Sequence, residues 1–314
     1  MLSMIFLLIT GGVLLYFGAE LLVKGSVNLA MRCGVSALVA GLTIVAFGTS
    51  APELVVSVKA GLDGLGNIAV GNVIGSNIFN IAVILGITAI VRPLKVHLKV
   101  LRVDTPVMLA ASVLLMVVLH DLHISRVEGL FLFLGVIFYT VFTVITARRA
   151  GETKADFPVE QLIPAKKINT AMDILFVIGG IGILVLGSRF FVDGAVELAR
   201  VIGVSEAVIG LTIVALGTSL PELATSLIAA IKKEEDIAIG NIIGSNIFNI
   251  LTILGVSSTI TPLEAAGIGQ ISLYFMLGTA VLLMPFMRTG FVLNRIEGMV
   301  LLAIYGGYMY CLWP

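Results

Sequence analysis

The sequence predicts an all-α membrane protein of ten transmembrane helices, arranged as two inverted-topology five-helix repeats whose motif helices are broken at the bilayer midplane. Three observations carry this. Of the 314 residues 59% are hydrophobic and only 12% charged, and the mean hydropathy of +1.13 lies far from the balance of a water-soluble domain. Apolar runs of about 20 residues, the length that crosses a hydrocarbon layer about 30 Å thick, follow one another with little between them. The chain also matches itself when shifted by 169 positions.

The expected spans are 4–23, 36–60, 66–91, 103–120, 128–147, 171–192, 205–231, 236–260, 269–287 and 294–312. The opening MLSMIFLLIT lacks the basic segment of a secretory signal and reads as a retained first span. The one long connection, 148–170, carries both charge signs and is too short to fold alone, so it divides a first five-helix repeat (1–147) from a second (171–314). Cys33 and Cys311 stand far apart and form no metal-ligand spacing. His97, His120 and His123 fall near span ends and read as interfacial residues.

Loop charge sets the orientation. With loops alternating sides, 15 of the 19 Lys and Arg fall on one side, including Arg148, Arg149, Lys154, Lys166 and Lys167 of the central loop. The positive-inside rule then places that loop in the cytoplasm and both termini outside a cell membrane. Net charge is zero and the basic residues form no patch, so nucleic-acid binding has no support. Glu20 with Lys24, and Arg189 with Asp193, are spaced as i, i+4 ion pairs, and the KKEED run at 232–236 reads as a solvated turn.

The 169-residue shift aligns GLTIVAFGTSAPELVVSV (41–58) with GLTIVALGTSLPELATSL (210–227), and IAVGNVIGSNIFNIAVILG (68–86) with IAIGNIIGSNIFNILTILG (237–255). About 31 of 54 positions are identical between 41–94 and 210–263. Five spans is an odd number, so the second copy enters the membrane upside down. In such repeats the substrate and ion sites lie near the midplane, where the copies meet.

The chemistry sits in those motifs. Thr49, Glu53 and Ser57 are spaced i, i+4, i+8 along one helical face, as are Thr218, Glu222 and Ser226. A carboxylate in mid-membrane costs several kcal/mol and marks a pathway or a paired site; two such costs imply a shared ligand. Pro52 and Pro221 precede the glutamates and free carbonyls one turn back, around Ala46 to Thr49 and Ala215 to Thr218. Asn72, Ser76 and Asn80 form a second stripe, repeated as Asn241, Ser245 and Asn249, with Gly71, Gly75, Gly240 and Gly244 at the spacing that lets membrane helices approach closely. The pocket is all oxygen: two carboxylates, amides, freed carbonyls and the hydroxyls of Thr49, Ser50, Ser76, Thr218, Ser219 and Ser245. Such an inventory suits a hard cation; calcium takes 6 to 8 oxygens at about 2.3–2.6 Å. Sodium can use the same oxygens in turn.

The pair GTSAPEL…GNVIGSNIFN and GTSLPEL…GNIIGSNIFN resembles the alpha repeats of the calcium/cation antiporter superfamily, in its sodium/calcium exchanger branch and especially its prokaryotic members. The resemblance covers nearly the whole chain. It implies secondary active antiport of Ca2+ against Na+, three sodium ions per calcium and therefore electrogenic, by alternating access, with spans 1 and 6 sliding across a core of motif helices. It implies a central calcium site from Glu53 and Glu222 with the backbone carbonyls of Thr49 and Thr218. Flanking sodium sites would use the carbonyls of Ala46 and Ala215 and the side chains of Thr49, Ser50, Ser76, Thr218, Ser219 and Ser245. In potassium-dependent relatives an aspartate occupies one of the positions held here by Asn80 and Asn249; asparagine at both argues against potassium cotransport. Proton-coupled calcium exchangers place an acidic residue after a GNA sequence where this chain has GSNIFN.

The chain is accordingly expected to be no enzyme, to hold no resident cofactor, and to work as a monomer in the bilayer with Ca2+ and Na+ as its partners. A proton/calcium exchanger and a passive cation channel are the alternatives. An intramembrane hydrolase using Ser50 or Ser219 has no histidine or lysine in the motifs to serve as base.

Overall fold

The computed structural model describes residues 2–150, 170–201 and 217–312. Nearly all of the expected 148–170 connection, and residues 205–216 of the expected seventh span, lie outside the described residues. Helix α1 (Leu2–Cys33) is one apolar rod. Helices α2 (Ala37–Thr49) and α3 (Ala51–Leu62) meet at a bend of 47°. The bend falls at Ser50 (φ −83°, ψ 7°), because Pro52 in the first turn of α3 has no N–H to return to the carbonyl of Gly48. Then come α4 (Gly66–Val91), α5 (Val100–Asp121), α6 (Arg126–Ala150), α7 (Thr170–Val201), α8 (Leu220–Ile231), α9 (Glu235–Ile260), α10 (Gln270–Arg288) and α11 (Arg295–Leu312). Among the described residues seven helices are long and apolar enough to cross a membrane, and α2 with α3 makes an eighth as one broken span. This is a multi-pass membrane protein.

The second-motif helices form the core. In α9 94% of the apolar window is buried and in α4 78%, against 28% in α1, α6 and α7, which leave Phe, Ile and Leu side chains exposed on their outer faces. Within α4 and α9 the segments Asn80–Leu85 and Asn249–Leu254 are wound as π-helix, as is Gly41–Val45 in α2. Such wide turns recur at functional sites.

Contacts cross between the two halves and do so in duplicate. Four two-residue strands, absent from the all-α expectation, pair as β1 (Leu94–Lys95) with β4 (Val292–Leu293) and β2 (His123–Ile124) with β3 (Leu263–Glu264). Each is flanked by one more bond at equivalent positions, Val96 N–H to Phe291 carbonyl at 2.9 Å and Ala265 N–H to Leu122 carbonyl at 2.8 Å. Backbone leaving a span needs partners where it lacks helical ones, and here the other half supplies them. Glycine crossings follow the same rule: Gly129 of α6 lies on Gly255 of α9, and Gly298 of α11 on Gly86 of α4.

Helices α1 and α7 run antiparallel along their length on a seam of glycines seven residues apart, Gly11, Gly18 and Gly25 facing Gly187, Gly180 and Asp173, with Gly194 against Met4 and Leu8. A side-chain carbon added at any of these six glycines would lie 2.5 to 3.0 Å from the opposing helix. The backbones touch directly, which only small residues permit. At one end Asp173, fully buried, accepts from Arg32 Nε at 2.6 Å and Asn28 Nδ2 at 2.9 Å, while Lys24 lies over the Phe176 ring, 5.3 Å from its centroid.

Two charge readings are corrected. Glu20 pairs with Lys232 at 2.5 Å rather than with Lys24. The 232–236 turn is not merely solvated: Glu235 accepts from Arg92 Nε at 2.9 Å and Lys95 N–H at 3.2 Å, and Asp236 faces His97 at 3.2 Å. The partners lie more than 130 residues away in sequence, so local spacing does not reveal them.

Candidate functional site

Glu53 and Glu222 sit in the first turns of α3 and α8, just past the break at Ser50 and the N-terminal cap Ser219 (φ −88°, ψ 6°). A helix start places orphan N–H groups and the positive end of the dipole beside each carboxylate, which favours its charge. Both glutamates are buried, at 1% and 0% exposure.

The helix starts also deliver the serines, and they cross over. Ser50 donates to Glu222 Oε1 at 2.8 Å, and Ser219 lies 3.0 Å from Glu53 Oε1. Ser219 Oγ is also 3.3 Å from Ser76 Oγ, so its single proton chooses between them. Each carboxylate is therefore held by the serine that starts the glutamate helix of the other half. Thr49 and Thr218 flank the same carboxyls, Thr49 placing its hydroxyl 3.1 Å from Asn241 Oδ1 and 3.4 Å from the Ala46 carbonyl. The Ala46 carbonyl also takes the Ser50 N–H at 3.1 Å. Ala215 lies outside the described residues.

The asparagine stripes divide by task. Asn72 donates to Ser57 Oγ at 3.0 Å and to the Glu53 carbonyl at 3.4 Å; Asn241 repeats this on Ser226 at 2.9 Å and the Glu222 carbonyl at 3.4 Å. These two bolt each glutamate helix to its second-motif helix. One helical turn past the serines, Asn80 Nδ2 donates to Asn246 Oδ1 at 3.1 Å and Asn249 Nδ2 to Asn77 Oδ1 at 3.0 Å. The close approach expected at Gly240 and Gly244 occurs, against Leu38, Leu42 and Ala46 of α2. At Gly71 and Gly75 no equally close neighbour stands among the described residues.

Among the candidate residues, five buried oxygens have no hydrogen-bond partner: Glu53 Oε2, Glu222 Oε2, Asn80 Oδ1, Asn249 Oδ1 and Ser245 Oγ. A buried acceptor without a partner costs about 1–3 kcal/mol and a charged one more, so oxygens left over in both halves fit a cation as their common partner. Among the described residues no three His, Cys, Asp or Glu side chains gather, so the donor set is mostly neutral oxygen, as hard cations accept. One contact escaped the sequence reading: Ser188 of α7 donates to the Gly217 carbonyl at 2.5 Å. Pro221, four residues on, is the signal that this carbonyl lacks its helical partner.

Two carboxylates and a set of unpartnered oxygens buried between the helices of a multi-pass protein are the arrangement of a membrane transporter of cations. The family model described as sodium/calcium exchanger protein matches residues 3–145 and 172–313, and the chain belongs to that family. It is 34% identical to the sodium/calcium exchanger MaX1 of Methanosarcina acetivorans, over 98% of this chain and 97% of that one. It is 42% identical to the inner membrane protein YrbG of Escherichia coli, over 82% and 80%. The solved structure of the sodium-calcium exchanger NCX_Mj, soaked without Na+ and Ca2+, superposes with a TM-score of 0.85 at 31% identity, over 99% of both chains.

Proposed function

We propose that the chain is a secondary active antiporter that exchanges Ca2+ for Na+, three sodium ions against one calcium. The observation that carries this is the crossed pair Ser50–Glu222 and Ser219–Glu53, which brings a carboxylate from each half to one place with an outer oxygen left over on each. Two ionised glutamates neutralise one Ca2+. Glu53 and Glu222, with the carbonyls of Thr49 and Thr218, form the calcium site. Ser50, Ser76, Ser219, Ser245, Asn80, Asn249 and the carbonyls of Ala46 and Ala215 complete the oxygen set that sodium ions share. The names of MaX1 and NCX_Mj support the choice of ions.

The architecture belongs to the same reading: ten spans in two inverted five-helix repeats, 1–147 and 171–314, joined by a cytoplasmic 148–170 loop, with both termini outside. The duplicated crossings between halves and the loop-charge bias support it. Transport proceeds by alternating access, the α1–α7 pair sliding as one body on its glycine seam past the core of α4 and α9. One net charge crosses per cycle, so membrane potential contributes about 2.3 kcal/mol per 100 mV.

Calcium-45 uptake into sodium-loaded proteoliposomes tests this. Wild type is expected to take up calcium and to respond to imposed potential, and Glu53→Gln and Glu222→Gln to abolish uptake. Normal transport by both variants would refute the site. Uptake driven by a pH gradient with sodium absent would replace sodium coupling with proton coupling, and flux without counter-ion would make the chain a channel.

A further inference from the structure

The amides of Asn77 and Asn246 are explained by none of the above as ligands. A neutral asparagine can present either its oxygen or its NH2 to a site, because its terminal torsion is broad and roughly two-fold. Asn80 and Asn249 are denied that freedom. The NH2 of each is held by the oxygen of the asparagine three positions upstream in the opposite half, Asn246 at 3.1 Å and Asn77 at 3.0 Å, leaving Oδ1 as the unpartnered atom in both. Asn77 is fixed in turn by the Asn246 carbonyl at 3.3 Å, and Asn246 Nδ2 lies 3.5 Å from Met108 Sδ. All four amides are buried.

We infer that Asn77 and Asn246 are positioning residues, which fix the ligand amides of the opposite half with oxygen toward the cation. This rests on the exchange reading. The test is a double-mutant cycle in the sodium-dependent calcium flux of reconstituted protein. Asn246→Leu is expected to raise the half-saturating Na+ about tenfold, and to do so less than twofold in an Asn80→Ala background, where no amide remains to be turned. An equal rise in both backgrounds would show a merely structural effect and overturn the inference. Absence of exchange in the wild type would overturn the functional reading instead.

A second observation stands apart from the site. The shift of 169 maps Glu20 to Arg189 and Asp63 to Lys232, so the Glu20–Lys232 pair has a counterpart, Arg189 with Asp63, of reversed sign. Lys232 caps α8 as Asp63 caps α3. Yet only one of the two is made. Glu20 and Lys232 meet at 2.5 Å, and α1 packs along α8. Helices α7 and α3, the equivalent pair, scarcely touch; Asp63 and Arg189 are exposed, and no ion pair joins them among the described residues.

The geometry points to a pair of alternating latches: Glu20–Lys232 closes one mouth in the state seen here, and Arg189–Asp63 closes the other when α1 and α7 slide across. This too rests on the exchange reading. In proteoliposomes, a Cys33→Ser, Cys311→Ser chain carrying Asp63→Cys and Arg189→Cys reports closure of the second mouth by its cross-linking with a short bismaleimide. Glu20→Lys sets two positive charges against each other and is expected to raise the yield about five- to tenfold; adding Lys232→Glu is expected to return it to its starting level. A yield that ignores Glu20→Lys, or that the double swap leaves high, overturns the latch. A parent chain without sodium-calcium exchange overturns the transport reading instead.

Discussion

Gly11→Ala and Gly12→Ala differ by one position and should differ in sign. A methyl carbon at Gly11 would lie 2.5 Å from the Phe191 nitrogen, 2.8 Å from its Cα and 2.9 Å from the Gly187 carbonyl, whereas at Gly12 nothing stands within 4 Å. Ordinary contact begins at 3.4 Å, so α1 and α7 must part by about 0.9 Å at Gly11. The obstacle is backbone and cannot rotate away. Overpacking of this kind costs about 1–3 kcal/mol, and a gap of roughly 0.5–1 Å along the seam forfeits a quarter to a half of the local dispersion attraction, which puts the cost near 3 kcal/mol. Replacing a helical glycine by alanine returns about 1 kcal/mol at either position. The net expectation is a loss of about 2 kcal/mol for Gly11→Ala and a gain of about 1 for Gly12→Ala. Thermal unfolding in detergent, followed by the monodisperse fraction on size exclusion, should show melting lowered by about 4 °C in the first and raised by about 2 °C in the second. Equal melting temperatures would refute the backbone-contact seam, and with it the coupled movement of α1 and α7.

Three further outcomes are expected. Ser50→Ala removes the hydrogen bond to Glu222 at 2.8 Å; a bond to a charged acceptor contributes about 1.5–3 kcal/mol, so the half-saturating calcium concentration should rise at least about tenfold while the chain remains folded on size exclusion. Asp173→Leu leaves Arg32 and Asn28 without the carboxylate they share; Arg32 is one-third exposed and water takes up part of its charge, so the loss is about 1–3 kcal/mol and the melting temperature should fall by a few degrees, measured as above. Lys233, at φ +67°, occupies the left-handed position that glycine holds at Gly64, its equivalent in the first half; Lys233→Gly should gain about 1 kcal/mol in the same melting assay.

Much of the candidate site's geometry was legible because its motifs are local. Proline four residues after Gly48 forecasts the break at Ser50, and the i, i+4 spacing of Ser76 with Asn80 and of Ser245 with Asn249 places each pair on one face. Two copies of each motif reveal the repeat without any structure. The pairing of particular atoms was not legible. Nothing near Ser50 in sequence says that its hydroxyl serves the glutamate 172 positions away, nor that Glu20 finds Lys232 across the molecule while Lys24, one turn on, turns to the Phe176 ring. The strands at 94–95 and 292–293 are too short to show a period of two. The glycine heptads of α1 and α7 were there to be read, since Gly11, Gly18 and Gly25 recur as Gly180, Gly187 and Gly194.

The crossed strands bear on how the molecule is made. Leu94 and Lys95 have their ladder partners at 293 and 292, and His123 and Ile124 have theirs at 264 and 263. During synthesis the first of these edges stays open for nearly two hundred residues of translation, and ribosomes that stall before residue 290 leave a chain with that ladder unmade. An unfinished chain therefore differs from a finished one by an unpaired backbone edge at Leu94 and Lys95.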